Sequence, residues 1–325
     1  MKNKSNKTLI IGAGVNNLVF SENHFLCSWE NFIRHFFNSV THKNIPLIIL
    51  MEETIRSISL GNLKSKKASH IERNILRNIA ENIKNASQHQ RKYDFDWILS
   101  NDSITDVICL NFNLPFGLDD LVRGNEIKVK DQRIEFLNNC QFWKLKDESK
   151  SKIRFWFPHG NVSNPEQMVF GAYRYKSQTS YLSELFTSLK KEERNILSST
   201  KKTQLKQEFL LKKLSNSDGF SWLAPFFYNE LYFLGTSISA DEWAMWSALT
   251  LRLRNFAKME NRKYEQPIFH MRSGNQNDTS YPQFIQPLYD PSMSYDDQWK
   301  KLEQDFRKEI NAHRSQSKKN NKSPR

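Results

Sequence analysis

The chain has 325 residues, 38% of them apolar, with 23 Phe and 8 Trp to fill an interior. That describes a packed globular protein of one large or two ordinary domains and excludes a chain too polar to bury a core. The 48 Lys and Arg outnumber the 35 Asp and Glu, a net +13 that permits an anionic partner, nucleotide or nucleic acid, without choosing one; a lysine-rich solvated surface also accounts for it.

The N-terminus "MKNKSNK" is basic, but the apolar run behind it is about five residues long, short of the roughly 7–15 a secretory signal needs. No stretch approaches the roughly 18 apolar residues of a membrane span, so a cytoplasmic protein without membrane contact is expected. "KTLIIGAG" (7–14) predicts a buried strand ending at glycine. "SWENFIRHFFNSV" (28–40) spaces Trp29, Phe32, Ile33, Phe36 and Phe37 as a helix does, with Ser28 as its N-cap. Over 67–100, Ile71, Ile75, Ile79 and Ile83 recur every fourth position and predict helix, followed by Trp97, Ile98 and Leu99.

"SITDVICLNFN" (103–113) is the next strand, and its unbroken run Val107–Leu110 fits a strand covered on both faces. Residues 125–139 alternate like a small hairpin. "KIRFWFPHGN" (152–161) is a strand stopped by Pro158, followed by a short extended "MVFG" (168–171). Residues 178–218 carry charged blocks and read as a helical insertion. "NELYFLGTSIS" (229–239) is a strand ending at glycine, and 240–259 is an amphipathic helix with an acidic start, on which Trp243 and Trp246 share a face. "QPIFHMRSG" (266–274) is a late strand, 276–300 is turn-rich, and 296–312 is a closing helix. The tail 313–325 is basic and reads as disordered. The aromatic group Trp222, Phe226, Phe227, Tyr228, Tyr232 and Phe233 reads as core.

Strands alternating with helical stretches predict an α/β fold: a Rossmann-like, mostly parallel sheet with helices on both faces and helical insertions at about 28–100 and 178–218. Residues 1–275 form the core and 276–312 an extension. The three cysteines (Cys27, Cys109, Cys140) are far apart with no C-x-x-C pair, so neither a zinc site nor a disulfide frame is expected.

In such a sheet, ligands bind at the carboxyl ends of the strands. Four strand ends there carry small or hydrogen-bonding residues: Gly12-Ala13-Gly14, Asn111-Phe112-Asn113, His159-Gly160-Asn161 and Gly235-Thr236-Ser237. Glycines let backbone N–H groups approach a phosphate, but a tight turn without a ligand explains Gly-x-Gly as well. His159, between Pro158 and Gly160, is placed to take a proton near neutral pH; a structural histidine bonded to a carbonyl fits the same position. His270, on the late strand, reads as structural.

In this order and approximate spacing, over about residues 8–272, the segments resemble the SIR2-like (sirtuin-related) family of NAD-binding domains found in bacterial antiphage effectors. Gly12 to Asn16 stand for the family's Gly-Ala-Gly-x-Ser loop and Ser28-Trp29 for a Ser-Trp helix opening. Leu110 to Asn113 stand for its Thr-x-Asn-x-Asp strand end, "FPHGN" for His-Gly, and Gly235, Ser237 and Asp241 for Gly-x-Ser followed by Asp.

The resemblance implies NAD as substrate, hydrolysed between nicotinamide and ribose. Gly12, Ala13, Gly14, Gly235, Thr236 and Ser237 would lie on the pyrophosphate and adenosine side, with Asn16 or Asn17 donating where serine does. Asn111 and His159 would sit by the nicotinamide ribose as catalytic residues, with Asn113 and Gly160 beside them. It also implies a homo-oligomer or a separate sensor or activator protein. The family's deacylases need a four-cysteine zinc ribbon, absent from this sequence, so plain NAD hydrolysis is expected rather than acyl-lysine removal. Asn16, Leu110 and Asn113 depart from the family's Ser, Thr and Asp. A nucleotide-binding subunit without turnover is therefore the alternative, and a nucleic-acid-binding protein a third.

Overall fold

A computed structural model describes residues 6–21, 24–37, 49, 52–53, 56, 68–89, 91, 93–113, 122–125, 142–145, 153–171, 174, 176–180, 182–183, 222–236, 242–257, 266–272 and 282–320. The strands are β1 (Lys7–Ile11), β2 (Ile104–Cys109), β3 (Val122–Asn125), β4 (Phe142–Leu145), β5 (Arg154–Trp156), β6 (Glu230–Leu234), β7 (Ile268–His270) and β8 (Gln286–Pro287). The helices are α1 (Trp29–Phe37), α2 (Ala68–Ser87), α3 (Asp96–Leu99), α4 (Leu223–Tyr228), α5 (Trp243–Ala257) and α6 (Tyr295–Asn320).

The eight strands among the described residues join one sheet in the order β3-β4-β5-β2-β1-β6-β7-β8. The six from β5 to β8 are parallel, and β4 and β3 add antiparallel at one edge. Numbered among themselves in chain order, the parallel strands run 3-2-1-4-5-6, the doubly wound arrangement. The chain winds outward from β1 through β2 to β5, then returns to lay β6 against the other side of β1. The topological switch therefore lies between β1 and β6, whose ends are in register at Ile11 and Leu234.

Successive side chains of a strand point to opposite faces, and both faces here are apolar. Leu9, Ile11, Val107, Cys109, Phe155 and Leu234 pack under α1, α2, α3 and α6, which contribute Phe32, Ile79, Ile83, Trp97, Trp299 and Phe306. Ile10, Ile108, Leu110, Trp156, Leu231 and Phe233 pack under α4 and α5, which contribute Phe226, Phe227, Met245 and Leu249. The sheet is thus covered on both faces, as the sequence predicts. The aromatic group from Trp222 to Phe233 is core, but Tyr232 faces the α6 side and its neighbours face α4 and α5.

Ser28 caps α1 as expected: its Oγ accepts the Asn31 N–H at 3.1 Å. On α5 the buried ridge is Met245, Ala248, Leu249 and Arg252, with Trp246 half-buried beside it. Arg252 is 1% exposed because its guanidinium donates to the Phe226, Asn229 and Gln266 carbonyls. Besides α4, which the sequence does not announce, two elements differ from expectation. The turn-rich 276–300 contains β8, and α6 runs on through residues 313–320, part of the tail expected to be disordered. That stretch holds no Gly or Pro, and adding residues to a formed helix is far easier than nucleating one. β3 and β4 pair antiparallel on either side of the expected hairpin. Residues 126–141, 184–221 and 321–325, with Cys140 and most of the predicted 178–218 insertion, lie outside the described residues.

One buried polar cluster sits in the sheet. Asp106 of β2 is fully buried between Thr8 and Arg154, its partners in register. Arg154 grips the carboxylate with Nε and Nη2 at 2.7 and 2.8 Å, and Trp156 Nε1 donates to it at 2.7 Å. Asn229, before β6, donates to Thr8 Oγ1 at 3.0 Å. A buried carboxylate persists when its oxygens are all supplied with donors, as here.

Candidate functional site

β1 and β6 end side by side, and the loops after them touch backbone to backbone. Gly12 N–H donates to the Leu234 carbonyl at 2.9 Å, and Gly14 N–H to the Gly235 carbonyl at 2.7 Å. Gly235 has φ +61°, a left-handed backbone that side chains disfavour, and a Cβ there would overlap the backbone nitrogen of Val15. A Cβ on Gly12 would stand 2.5 Å from both the Gly235 carbonyl oxygen and Thr236 Cβ. The glycines thus let two loops interlock across the switch point. Val15 N–H turns back to the Gly12 carbonyl at 3.2 Å, opening a 3-10 helix, Ala13–Leu18, rather than an α-helix. The amides of Gly12, Gly14 and Val15 therefore all donate within the protein.

Thr236 is half-buried, and its carbonyl meets His270 Nε2 at 2.6 Å. A carbonyl only accepts, so Nε2 carries the hydrogen. Burial pushes the His270 imidazole down to about 4, against a smaller opposing effect of that bond, which agrees with a structural, neutral histidine.

Beside the interlock, the end of β2 supplies a chain of asparagine contacts. Asn111 Nδ2 donates to the Gly12 carbonyl at 3.0 Å, and Asn113 Nδ2 to Asn16 Oδ1 at 3.1 Å. Asn16 Nδ2 donates in turn to the Leu26 carbonyl at 2.6 Å. Beneath them the buried Cys109 Sγ donates to the Asn113 carbonyl at 3.3 Å, and burial pushes this thiol up to about 12, so it stays protonated. Each of these bonds uses one of the two N–H groups of the Asn111 and Asn113 amides, and each side chain keeps its oxygen as an acceptor.

These residues line a cleft with about 290 Å³ of empty space, counting the part open to solvent. Its polar side chains are Asn16, Ser28, Asn111 and Asn113; Ala13, Phe25, Trp29, Phe32, Phe112 and Ile83 supply apolar wall. Trp29 is held by stacking on Phe170 at 5.9 Å and by the edge of Phe112 at 5.8 Å. Within it, the room for water-sized guests is small, about 20 Å³, between the aromatic walls and the amide side chains. Leu110 packs under α4 and α5 on the opposite face, away from this cleft.

His159 is placed differently. It follows β5 and is 2% exposed, with Nε2 3.3 Å from Glu242 Oε2, just before α5. Strands β2 and β1 separate β5 from β6, so these two loops begin about 14 Å apart at the usual strand spacing. The His159 backbone is fixed on both sides: its carbonyl accepts Val169 N–H at 2.7 Å, and the Pro158 carbonyl accepts Gln178 Nε2 at 2.9 Å. Gly160, at φ +75°, has no room for a Cβ, which would stand 2.6 Å from the Gln167 carbonyl oxygen.

Of the predicted site residues, Ala13, Asn16, Asn111 and Asn113 line the cleft; Gly12, Gly14, Gly235 and Thr236 form the adjoining interlock. Asn17 is exposed, and Ser237 and Asp241 lie outside the described residues. His159 and Gly160 sit on the neighbouring strand end rather than in the cleft wall. Sequence reasoning missed Glu242, whose acid at a helix start reads only as a dipole partner, and missed Phe25 and Phe112 as cleft wall. No protein-family model matches the chain, and no curated protein matches it.

Proposed function

We propose that the protein is a SIR2-like NAD hydrolase that binds NAD at the carboxyl edge of the sheet and depletes it as an antiphage effector. The observation that carries this reading is the asparagine-lined cleft abutting the glycine interlock at the switch point, the place where doubly wound sheets bind nucleotides. Of the predicted cradle, the Gly12 and Gly14 amides are spent, so the phosphates would rely on Ala13 N–H and on side-chain donors such as Asn17.

The cleft would take the nicotinamide-ribose end. In the reaction, water bonds to C1 of the ribose and the C1–nicotinamide bond breaks. The electron pair neutralises the pyridinium nitrogen, and one proton is released with nicotinamide and ADP-ribose. Positive charge develops on the ribose ring in the transition state, and the Asn111 side-chain oxygen is an acceptor that can orient water or a ribose hydroxyl against it. His159, at the next strand end, would take the proton. The aromatic wall would keep bulk water from C1.

Nicotinamide release from NAD, followed by chromatography, tests this. Asn111→Ala and His159→Ala should each lower release by about 100-fold or more while ADP-ribose still binds. The absence of both release and binding, with or without an activating partner, would refute the reading.

A second reading, nucleotide binding without turnover, is favoured by the burial of His159 against Glu242. The Asn16–Asn113 bond, where the family has Ser and Asp, points the same way. Calorimetry showing NAD bound and left intact would establish it.

A further inference from the structure

We propose that the far end of α6, from Asn311 onward, docks the protein on a nucleic acid through contacts to its phosphates. The inference is independent of the cleft and of its reading as an NAD site.

The argument starts from where the helix stops packing. α6 runs from Tyr295 to Asn320. Gln298, Trp299, Leu302 and Phe306 are its buried ridge, and Glu309 and Ile310 are half-buried. Beyond them Asn311, Ala312 and Ser315 are exposed. The helix therefore continues past its packed part, and residues 311–320 rise about 15 Å along its axis.

The charge pattern changes at the same point. Over 295–309, four Lys and Arg stand among five Asp and Glu. Several of these are paired: Arg307 with Asp94 and Glu303, Lys308 with Asp305, and Lys7 with Glu309. Over 310–325 there are five Lys and Arg and no Asp or Glu. Three of the five, Arg314, Lys318 and Lys319, belong to α6, and Arg314 and Lys318 are four apart, on one side of it. In α2 the cations Arg73, Arg77 and Lys84 are interleaved with Glu72 and Glu81. A face that has only to stay soluble mixes the signs in that way. A run of one sign repels itself and is relieved by a partner of the other sign. The helix dipole favours Lys318 and Lys319, but it falls off within one turn, short of Arg314.

Residue types choose the partner. Besides the cations, 311–320 holds Asn311, Ser315, Gln316, Ser317 and Asn320. Such side chains, together with Lys and Arg, are the ones that hold nucleic-acid phosphates. A helix lying in a membrane surface needs an apolar face, and Ala312 is the one apolar residue of this stretch. A protein partner would be gripped through aromatic or large apolar anchors, and 311–320 has none. Contacts of this kind read phosphates rather than bases, so binding should be indifferent to base sequence.

The test is fluorescence anisotropy of a labelled DNA duplex of about 20 base pairs, titrated with the full chain from about 50 to 300 mM salt. Log affinity should fall with log salt at a slope of about −3 or steeper. Glutamine keeps helix propensity, so the triple variant Arg314→Gln, Lys318→Gln, Lys319→Gln should keep its circular dichroism. It should bind about 100-fold less tightly at about 100 mM salt, with a slope shallower by about 2–3. The matching triple in α2, Arg73→Gln, Arg77→Gln, Lys84→Gln, should change affinity less than about threefold. No duplex binding at about 50 mM salt overturns the proposal, and so does binding that the α6 variant retains in full. Binding to vesicles of anionic phospholipid with none to the duplex overturns it in favour of a membrane surface. If the triple variant does not fold, Arg314→Gln alone decides, with a slope expected to be shallower by about 0.9.

Discussion

Replacing Gly235 by alanine should break the interlock on which the candidate site is built. Two costs add. Alanine at φ +61° pays about 1–2 kcal/mol for the left-handed backbone. Its Cβ also overlaps the Val15 backbone nitrogen, which belongs to a turn tied by hydrogen bonds and must move; overpacking of this kind costs about 1–3 kcal/mol. The sum is about 2–5 kcal/mol, a large part of the roughly 5–15 kcal/mol that holds a domain folded. Gly12→Ala separates the two costs. Gly12 has φ −101°, open to any residue, so only the overlap with Gly235 and Thr236 remains, about 1–3 kcal/mol. Because the sites touch, the double variant should lose less than the two singles together. Urea unfolding followed by tryptophan fluorescence measures all three; at about 3 kcal/mol per molar, Gly235→Ala should lower the midpoint by roughly 1 M. A midpoint within about 0.2 M of wild type, or additive losses, would refute the close backbone contact between the two loops.

Two further outcomes concern the sheet. His270 is held neutral by burial, with its ionisation pushed down to about 4 against 6.5 in an unfolded chain. Between those values the unfolded state binds the extra proton, so this contribution is complete above pH 6.5 and is lost as pH falls toward 4. It amounts to about 3 kcal/mol, and His270→Gln should flatten the pH dependence of the urea midpoint over that window. Asp106→Ala leaves the Arg154 guanidinium and the Trp156 N–H without their buried acceptor, and should cost about 3–5 kcal/mol in the same assay.

The strands were legible because burial on both faces leaves an unbroken apolar run. Leu9–Ile11, Val107–Leu110 and Leu231–Leu234 each announce a central strand, and glycine or asparagine marks where each stops. β8 was not legible. It is Gln286–Pro287, two exposed residues whose place depends on β7 offering an edge, not on any pattern of their own. α4 was hidden by Pro225, which sits in its first turn, where no intrahelical N–H is needed. The burial of Arg252 and Asp106 was not legible, since nothing near them in sequence shows the carbonyls and donors that satisfy them.

What the sequence by itself determined is the set of residues delivered to the carboxyl ends of the strands: Gly12 to Gly14, Asn111 to Asn113, His159 and Gly235. A strand's end is set by local chemistry, an apolar run meeting a turn residue. Which ends become neighbours depends on strand order, and only the assembled sheet decides that. Placing β6 against β1 turned the glycines into an interlock and spent their amides. Packing the asparagines together joined Asn16 to Asn113, 97 positions apart. Folding brought His159 within 3.3 Å of Glu242, 83 positions away, and left it out of the cleft wall. Each such contact is fixed by packing between distant segments, whose energy no local pattern encodes.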